Sequence, residues 1–389
     1  MLRIVLAPDS FKGSLSAPDI CAALGRGLTR ASPHIEIVAR PMADGGEGTL
    51  DAVLAASPAG ARRETARVAG AGGETVEAAF GLVTYEGAQT AVIEVAQVVG
   101  ITDAAAMRVS VHDRSTRGLG ELIRLLLDRG IRRFMVGLGG SSTNDGGSGL
   151  LAGLGAELES DTGAAAAATP RGLASLARIA VTGLDPRLPE CDFRIMSDVN
   201  NPLNGALGAT AIFGPQKGVR ADEIAALDDT LTAYAALAEA TLGRKVADKP
   251  GAGAAGGLGF AFQLLGGTMH SGAQVVADLI GLDAALAEAD WAITGEGRSD
   301  RSTLLAKAPF VVAQRAATRG VPVTLVSGSV DPQALPELAP HFAGCFGLPD
   351  APMDLATCIA QAPALVEARG WALGRMLEAR RGRLAGAVE

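Results

Sequence analysis

Short runs of β-branched and other apolar residues alternate along this chain with longer segments rich in alanine and leucine, which is the pattern of an α/β protein. The two ends of the chain share this pattern, and the elements it predicts there are strands at 3–7, 35–41, 289–294, 321–327 and 341–348 and helices at 16–31, 48–56, 305–319 and 352–367. Together the two ends are expected to form one parallel, Rossmann-like sheet.

The middle of the chain has a different pattern. The elements predicted there are a hairpin of 74–83 with 90–97, a helix at 118–129, and strands at 132–138, 192–198 and 208–214. This order favours a second, mixed α/β domain inserted between the two halves of the first. We therefore expect a Rossmann-like domain over 1–60 and 285–389 and an inserted domain over 61–284. Two domains suit a chain of 389 residues, which is too long for one ordinary core.

Composition narrows the class of protein. The net charge is −8 and no basic stripe is present, which argues against a nucleic-acid partner. The four cysteines are far apart and the N-terminus lacks the features of a signal peptide, so a reduced, cytoplasmic location is expected. Residues 250–277 carry no charged side chain, but their many glycines, with Gln263 and His270, favour a loop leading into a short helix over a membrane span.

Lysine is rare in this chain, with five occurrences among 34 basic residues, and Lys12 lies in the first loop after a predicted strand. This loop, APDSFKGSLSA at 7–17, also contains Asp9 and Ser10 and leads into a helix. A helix N-terminus attracts anions, and lysine supplies a compact, movable charge that arginine does not replace. The loop therefore suits either an anion site or a plain connection between strand and helix.

The loop after the second predicted strand, PMADGGEGT, places Asp44 and Glu47 in a turn among glycines. Since the carboxyl ends of parallel strands meet at one edge of a sheet, this loop is expected to lie beside the loop of Lys12. Two carboxylates near an ammonium group suit hydroxyl recognition, metal binding or proton transfer. An acidic turn with Thr49 as a helix N-cap is the alternative.

The segment GLGGSSTNDGGSG at 137–149 gives the strongest indication of a phosphate or carboxylate site. It follows a predicted strand, and its small residues present backbone N–H groups in a concave nest to which hydroxyl groups add donors. The candidate ligand-binding residues in it are Ser141, Ser142, Thr143, Asn144 and Asp145.

Three later segments carry the other candidates. In SDVNNPLNG, Asp198 ends a strand and Asn200 follows it, which suits magnesium or a hydroxylated substrate, although an Asn-Pro turn explains part of this segment. The segments GAGAAGGLG and TGEGRSDRST supply the remaining candidates, which are Gly253, Gly256, Gly257, Glu296, Arg298 and Asp300. The G-x-G-x-x-G match in the first of these does not follow a strand, so it is a weak dinucleotide-binding signature.

Several familiar catalytic motifs are missing from the sequence. It contains no Walker-type phosphate loop, no protein-kinase catalytic loop and no G-x-S-x-G elbow. The four histidines do not accompany a clear nucleophile, which argues against histidine-driven hydrolysis. A carboxylate is therefore the expected proton acceptor.

Taken in order, these loops resemble the bacterial type I glycerate kinase family. The matching segments, which span nearly the whole chain, are APDSFKGSLSA, MADGGEGT, GGSSTNDGGSG, SDVNNPLNG, GPQKG, GAGAAGGLG and TGEGRSD. The resemblance implies ATP-dependent phosphorylation of D-glycerate, usually to 2-phosphoglycerate, by a two-domain α/β enzyme with its active site in the interdomain cleft and Mg²⁺ as the companion ion of ATP. Ser302 departs from the glutamine that is usual in the family, whereas Lys307 keeps its place.

Phosphoryl transfer requires charge clamps, a metal and a base near the attacking hydroxyl. On this basis the predicted residues are Lys12, Asp9, Asp198 and Arg298 for catalysis, Ser10, Asp44, Glu47 and Asn200 for glycerate, Ser141, Ser142, Thr143, Asn144, Asp145, Gly253, Gly256, Gly257 and Glu296 for ATP, and Asp198 and Asp300 for Mg²⁺. A nicotinamide-dependent hydroxy-acid dehydrogenase and a non-catalytic sensor of small acids are the alternatives. The expected assembly is a monomer or a homodimer.

Overall fold

Strands and helices alternate along the chain in the computed structural model, which describes residues 1–56 and 60–385. The strands are β1 (Leu2–Leu6), β2 (Ile35–Ala39), β3 (Arg62–Ala69), β4 (Thr75–Tyr85), β5 (Ala88–Glu94), β6 (Arg133–Gly137), β7 (Glu157–Ser160), β8 (Leu176–Ala180), β9 (Asp192–Met196), β10 (Thr268–His270), β11 (Trp291–Thr294), β12 (Arg298–Ser299), β13 (Val323–Ser327), β14 (Ser329–Val330) and β15 (Gly344–Gly347). The α-helices are α1 (Ala17–Ala31), α2 (Thr49–Ala56), α3 (Ala96–Val99), α4 (Ala104–Arg108), α5 (Arg117–Asp128), α6 (Ser148–Gly153), α7 (Pro170–Leu173), α8 (Ala209–Phe213), α9 (Ile224–Leu242), α10 (Leu258–Leu264), α11 (Gly272–Leu279), α12 (Leu282–Ala287), α13 (Ala308–Ala317), α14 (Leu335–Leu338) and α15 (Leu355–Ala385). Short 3-10 helices lie at Val111–Asp113, Leu188–Glu190, Pro215–Lys217, Ala254–Gly257 and Arg301–Leu304.

The described residues divide into two units. Among these residues, unit 1 comprises 1–44, 51–56 and 273–385, and unit 2 comprises 45–50 and 60–272. The sequence pattern predicts the later boundary at 284/285, but α11 belongs with unit 1 because it is bound to α13. The Arg315 guanidinium donates to Gln274 Oε1 (2.7 Å) and to Asp278 Oδ1 (2.6 Å).

Among the described residues, unit 1 is built on a five-stranded sheet of order β15-β13-β11-β1-β2, in which every neighbouring pair is parallel. This confirms the parallel, Rossmann-like sheet predicted from the two chain ends. In β1, Ile4, Val5 and Leu6 are fully buried, as expected for an interior strand covered on both faces. The chain passes from β1 to β2 on one side, whereas β13 and β15 follow β11 on the other. The strand order thus reverses between β1 and β11. Such a switch point is where open α/β sheets bind ligands, at the carboxyl ends of the strands.

Helix α1 fixes the far end of the loop that follows β1. Ser16 caps the helix by accepting the Asp19 N–H, and its hydroxyl donates to the Asp19 carboxylate (2.5 Å). The helix also packs closely on α15, since a Cβ at Gly27 would lie 2.1 Å from the Glu367 carbonyl oxygen. The loop is therefore held between a buried strand and a tightly packed helix.

Unit 2 contains, within its described residues, a six-stranded mixed sheet of order β10-β9-β6-β5-β4-β3. Strands β3, β4 and β5 pair antiparallel, whereas β5, β6, β9 and β10 pair parallel. The predicted hairpin is confirmed as β4 and β5, which join through Glu86 and Gly87. Both residues have a positive φ, as the favoured two-residue hairpin turn requires. The mixed α/β character predicted for the inserted domain is confirmed.

Several elements of unit 2 differ from the prediction, and two of them show why. Residues 208–214, predicted as a strand, contain α8, so that prediction is wrong. A short apolar run does not distinguish a strand from a helix, and here the helix packs against α9 while Thr210 Oγ1 accepts the Asn144 side-chain amide (3.0 Å). The strand β3 is not predicted because its charged side chains, which begin with Arg62 and Arg63, give no apolar alternation.

The uncharged segment 250–277 forms turns, short helices and one short strand. It contains the 3-10 helix Ala254–Gly257, α10, β10 and most of α11. This matches the glycine-rich loop and short helix predicted there. Across the part of the chain that the structure describes, no helix combines the length and apolar character needed to cross a membrane.

Candidate active site

Carboxyl groups gather at the carboxyl edge of the unit 1 sheet. Asp9 follows β1, Asp44 follows β2 and Glu296 follows β11. Backbone hydrogen bonds hold these loops side by side, since the Asp9 N–H donates to Gly295 O and the Met42 N–H donates to Pro8 O, both at 2.8 Å. The structure therefore brings together residues that the sequence pattern predicts at this edge.

Asp9 is almost fully enclosed, with 8% of its surface exposed. Its Oδ1 accepts the Ser10 N–H at 2.6 Å. Burial, reinforced by the nearby Asp44 carboxylate, raises the pKa of Asp9 to about 7. Asp9 is therefore a carboxyl group that can exchange a proton near neutral pH.

Lys12 supplies the positive charge at the same edge. Its Nζ lies 3.4 Å from Asp44 Oδ2, while 70% of its side chain remains exposed. The Asp44 carboxylate raises the pKa of Lys12, so the ammonium group stays charged at neutral pH. Lys12 thus presents a mobile cation to solvent beside two carboxyl groups.

An apolar cavity of about 400 Å³ in unit 1 opens beside Lys12. It lies at the same edge of the sheet, between the loops that follow β1, β11, β13 and β15 and the first turns of α15. Its wall includes Phe11, Leu348, Met353 and Ile359. The cavity offers an organic ligand an apolar surface next to a cation.

Glu296 lies in a network of hydroxyl groups. Its Oε1 accepts the hydroxyl groups of Thr303 (2.6 Å) and Ser299 (3.1 Å), and Lys307 Nζ lies 3.6 Å from Oε2. Burial raises the pKa of the Glu296 carboxyl. These contacts fix Glu296 in one position at the end of β11.

Asp300 caps the 3-10 helix Arg301–Leu304. Its Oδ1 accepts hydrogen bonds from the N–H (2.8 Å) and the hydroxyl (2.5 Å) of Ser302. These two hydrogen bonds lower the pKa of Asp300. Lys307 Nζ donates to the same hydroxyl at 2.8 Å, and Arg298 Nε lies 3.7 Å from Asp300 Oδ2. Ser302, the departure from the resembled family, therefore links a carboxylate to a lysine. Hydrogen bonds and two neighbouring cations make Asp300 a poor metal ligand.

In unit 2, the predicted phosphate loop after β6 turns most of its side chains inward. Ser142, Thr143 and Asn144 are fully buried. The Ser142 hydroxyl donates to Val99 O at 2.9 Å, and the Asn144 amide donates to α8. The side chains of Ser142 and Asn144 hold the loop in place, and Ser141 is the hydroxyl residue of the loop that borders a cavity.

Asp145 is also fully buried and anchors the loop to the start of α5. Its Oδ2 accepts the N–H (2.8 Å) and hydroxyl (2.7 Å) of Thr116 and the N–H of Gly149, while Oδ1 accepts the N–H of Gly147. Burial raises the pKa of Asp145. A carboxyl group enclosed in this way supports the loop from behind.

The glycines of the 251–259 segment pack against neighbouring backbone. An added Cβ at Gly253 would lie 2.2 Å from Pro202 O. At Gly256 it would lie 2.0 Å from Thr143 O, and at Gly257 2.4 Å from Gly146 Cα. The close approach of two loops therefore explains why these positions are glycine. Their predicted role in holding ATP stays a prediction.

We expect Gly256→Ala to lower the free energy of unfolding by at least about 3 kcal/mol. The new Cβ would clash with Thr143 O, and the φ of +69° at this position disfavours any side chain. Gly163→Ala is the matched control, because Gly163 has a φ of +78° with open space around it. Urea denaturation should show a loss near 1 kcal/mol for the control. Equal losses would mean that backbone strain, and not loop contact, sets the requirement.

The remaining predicted residues lie in unit 2 and are exposed. Asp198 follows β9, and its Oδ1 accepts the Gly272 N–H at 3.3 Å. Asn200 and Glu47 are also exposed. Within the described ranges, no group of three or more His, Cys, Asp or Glu side chains is placed to hold a metal ion.

Lys217 is absent from the predicted site residues, although it belongs to the GPQKG segment of the resemblance. The structure buries it beside the phosphate loop, where its Nζ donates to Thr143 O (2.7 Å) and Ser141 Oγ (3.2 Å). The available indication was compositional, since lysine is rare in this chain and this one lies in a matching loop.

Comparisons with known proteins identify the family of this chain. A family model described as the glycerate kinase family matches residues 4–378. The glycerate kinase of Bacillus subtilis (strain 168) is 40% identical over 330 residues, which cover 85% of each chain. The glycerate 2-kinase of Escherichia coli (strain K12) is 41% identical over 330 residues, covering 85% of this chain and 86% of that protein.

The fold agrees as well. A crystal structure of a protein assigned as glycerate kinase 2 from Salmonella typhimurium LT2 matches with a TM-score of 0.85 at 37% identity, covering 98% of this chain and 99% of that one. The family match extends over nearly the whole sequence, and the relatives match over most of their own length. The chain therefore belongs to the glycerate kinase family.

Proposed function

We propose that this protein transfers the γ-phosphoryl group of ATP to the C2 hydroxyl of D-glycerate, giving 2-phosphoglycerate and ADP. Membership of the glycerate kinase family supports the kinase activity and the acceptor. The relative named glycerate 2-kinase supports the C2 position. The observation that carries the chemistry is the buried carboxyl of Asp9 next to Asp44 and Lys12 at the switch point of the unit 1 sheet.

Asp9 is the proposed general base. In the reaction, the C2 oxygen of glycerate forms a bond to the γ-phosphorus, and the bond from that phosphorus to the β,γ-bridging oxygen breaks. The hydroxyl proton passes to Asp9, whose pKa of about 7 suits proton uptake at neutral pH. ADP leaves with the electron pair of the broken bond.

Lys12 and Arg298 are the proposed charge clamps. Both side chains are about 70% exposed at the carboxyl edge of the unit 1 sheet. Direct phosphoryl transfer forms no covalent bond to the protein. Much of the catalysis therefore comes from fixed positive charge that stabilises the negative charge of the transition state. The predicted glycerate contacts of Ser10, Asp44 and the exposed Glu47 remain part of this proposal, as does that of Asn200.

The apolar cavity beside Lys12 suits the nucleoside of ATP better than it suits glycerate. Glycerate is a three-carbon acid with two hydroxyl groups and offers little apolar surface. A purine base has two planar faces that Phe11, Met353 and Ile359 could cover. Lys12 at the cavity's edge then faces the phosphate chain.

Of the two predicted magnesium ligands, Asp198 fits and Asp300 does not. Asp198 is an exposed carboxylate at a strand end that accepts the Gly272 N–H, whereas Asp300 accepts two hydrogen bonds from Ser302 beside the cations Arg298 and Lys307. Mg²⁺ is commonly held by one or two carboxylates together with substrate phosphates, so a larger acidic cluster is not required. When bound, the ion would neutralise phosphate charge. We therefore propose Asp198 as the metal ligand and leave the base role to Asp9.

An assay of ADP release tests the proposed function. Purified protein with ATP, Mg²⁺ and D-glycerate should release ADP, and reactions without glycerate or with L-glycerate should stay near background. Excess EDTA should remove the activity and added Mg²⁺ should restore it. Failure to release ADP above background with D-glycerate would contradict the proposal.

A further inference from the structure

A second cavity, of about 330 Å³, lies in unit 2 along the loop that follows β6. It is bordered by Gly139, Gly140 and Ser141 of this loop, by Phe213 at the end of α8, and by Lys217. The site described above uses none of these residues except Ser141. The cavity combines apolar walls with one buried cation.

Lys217 is held at this cavity without a counter-ion. It is 2% exposed, and its Nζ donates to Thr143 O and Ser141 Oγ. Among the residues that the structure describes, it forms no ion pair with a carboxylate. A buried ammonium group is costly to keep without an opposing charge, so an anion in the cavity would remove part of that cost.

The backbone adds further donors at the same place. Within the described ranges, the N–H groups of Gly140 and Ser141 donate to no protein acceptor. The neighbouring backbone hydrogen bonds are donated by Ile101 N–H to Gly140 O and by Ser142 N–H to Val99 O. Consecutive backbone N–H groups in a glycine-rich turn commonly bind oxyanions.

One further cation and one carboxyl group lie near Lys217. The buried Arg114 guanidinium donates to Lys217 O and to Ser142 O, both at 2.9 Å, and the loop also contains the buried Asp145 carboxyl. The pKa of Lys217 is lowered to about 7, mainly by burial; the Asp145 carboxyl opposes this shift and the Arg114 guanidinium adds to it. An anion that enters the cavity would favour the charged form.

We propose that this cavity is an oxyanion site in which the Lys217 ammonium group and the N–H groups of Gly140 and Ser141 bind a phosphate of the nucleotide or the carboxylate of the acid substrate. The choice of these two sources rests on the proposed function. The oxyanion chemistry itself rests on the cavity and its donors.

Binding measurements on variants of the full chain test the proposal. Isothermal titration calorimetry with ADP and with D-glycerate, each alone, is run on wild type, Lys217→Met and Lys249→Met. Loss of a charge-assisted hydrogen bond should weaken one ligand by about 10- to 100-fold in Lys217→Met. Lys249 is exposed and lies outside the cavity, so its variant should stay within about twofold of wild type.

Each result decides the question. Selective weakening of ADP identifies the nucleotide phosphate, and selective weakening of glycerate identifies the carboxylate. Unchanged binding of both ligands overturns the proposal. Should Lys217→Met fail to fold, Ile101→Phe provides the decision, because it narrows the cavity without removing the lysine; unchanged binding in that variant also overturns the proposal.

Two further readouts separate this site from a structural role and from the proposed function. At pH 8, ligand binding to wild type should take up a proton, seen as a dependence of the heat on buffer ionisation, and Lys217→Met should lose this uptake. If wild type shows no turnover, the proposed function fails. Inorganic phosphate binding that Lys217→Met weakens would still support the oxyanion site, and binding that it leaves unchanged would overturn it.

Discussion

Replacement of Asp9 by asparagine is expected to lower kcat by about 100- to 10,000-fold, the range that general acid–base catalysis contributes. Asp9 is a buried carboxyl group. Its burial and the nearby Asp44 carboxylate raise its pKa to about 7. A base with this pKa removes a hydroxyl proton efficiently at neutral pH. Asparagine keeps the shape of the side chain and can still accept the Ser10 N–H, so the loss reports on proton transfer.

The same carboxyl sets the pH dependence of the wild-type enzyme. Below its pKa of about 7, Asp9 holds a proton and cannot accept another. The value of kcat/KM should therefore rise about tenfold per pH unit towards pH 7 and level off above it. Initial rates between about pH 5.5 and pH 8.5 measure this profile, and a flat profile would contradict the role of Asp9.

Asp9→Asn is also expected to stabilise the fold at alkaline pH. The folded-state pKa lies above the ordinary value of 3.8, so between these two values the folded protein keeps a proton that the unfolded chain releases. Wild-type stability therefore falls as the pH rises through this window, and the variant escapes that fall because it buries no charge. Urea denaturation at pH 8 should give the variant a free energy of unfolding a few kcal/mol higher, with the difference vanishing below about pH 4.

Asp161→Asn provides the control for these measurements, since Asp161 is an exposed carboxylate of unit 2 with no proposed role. It should leave kcat, the pH profile and stability close to those of wild type. Retained turnover in Asp9→Asn would remove Asp9 from the catalytic residues. Lower stability of that variant at pH 8 would show that the charged carboxylate is favoured in the fold.

Lys12→Met is expected to lower kcat/KM by about 100-fold while leaving the melting temperature almost unchanged. The Lys12–Asp44 pair is exposed and its atoms are 3.4 Å apart, and pairs of this kind contribute little to stability. The effect on turnover should be large because fixed positive charge offsets the negative charge of the phosphoryl group and of the acid. Steady-state kinetics and thermal melting together check both parts.

Two variants sharpen this test. Lys12→Arg keeps the charge but replaces a compact ammonium group with a planar guanidinium, so an intermediate loss is expected. Lys249→Met removes another exposed lysine and should have no effect on turnover. Near-normal turnover in Lys12→Met would exclude Lys12 from catalysis.

The fold of unit 1 could be predicted because its strands are buried on both faces. Runs such as that of β1, with Ile4, Val5 and Leu6 fully buried, remain apolar throughout and stand out from the helices between them. In unit 2 the hydrophobic pattern is weaker in the edge strand and in the short helices. The edge strand β3 exposes Arg62 and Arg63, and the five-residue helix α8 is too short for its period to be distinguished from that of a strand.

The candidate site could be predicted only in part. Asp9, Lys12 and Asp44 lie together because the topology of a parallel sheet brings successive strand ends to one edge, which a sequence pattern can indicate. Burial cannot be predicted in that way. Asn144 appears in sequence as a ligand-binding residue and is enclosed, whereas Lys217 becomes significant only through its hydrogen bond to Thr143, which is 74 residues away.

Phosphorus NMR of the complete reaction reports both the phosphoryl transfer and the hydroxyl group that receives the phosphate. Purified protein, ATP, Mg²⁺ and D-glycerate are followed until the substrates are consumed. We expect the γ-phosphate signal of ATP to be replaced by the signals of ADP and by a phosphomonoester signal that the single proton on C2 splits into a doublet. A triplet from the two protons on C3 would contradict phosphorylation at C2, and an unchanged ATP spectrum would contradict the kinase activity itself.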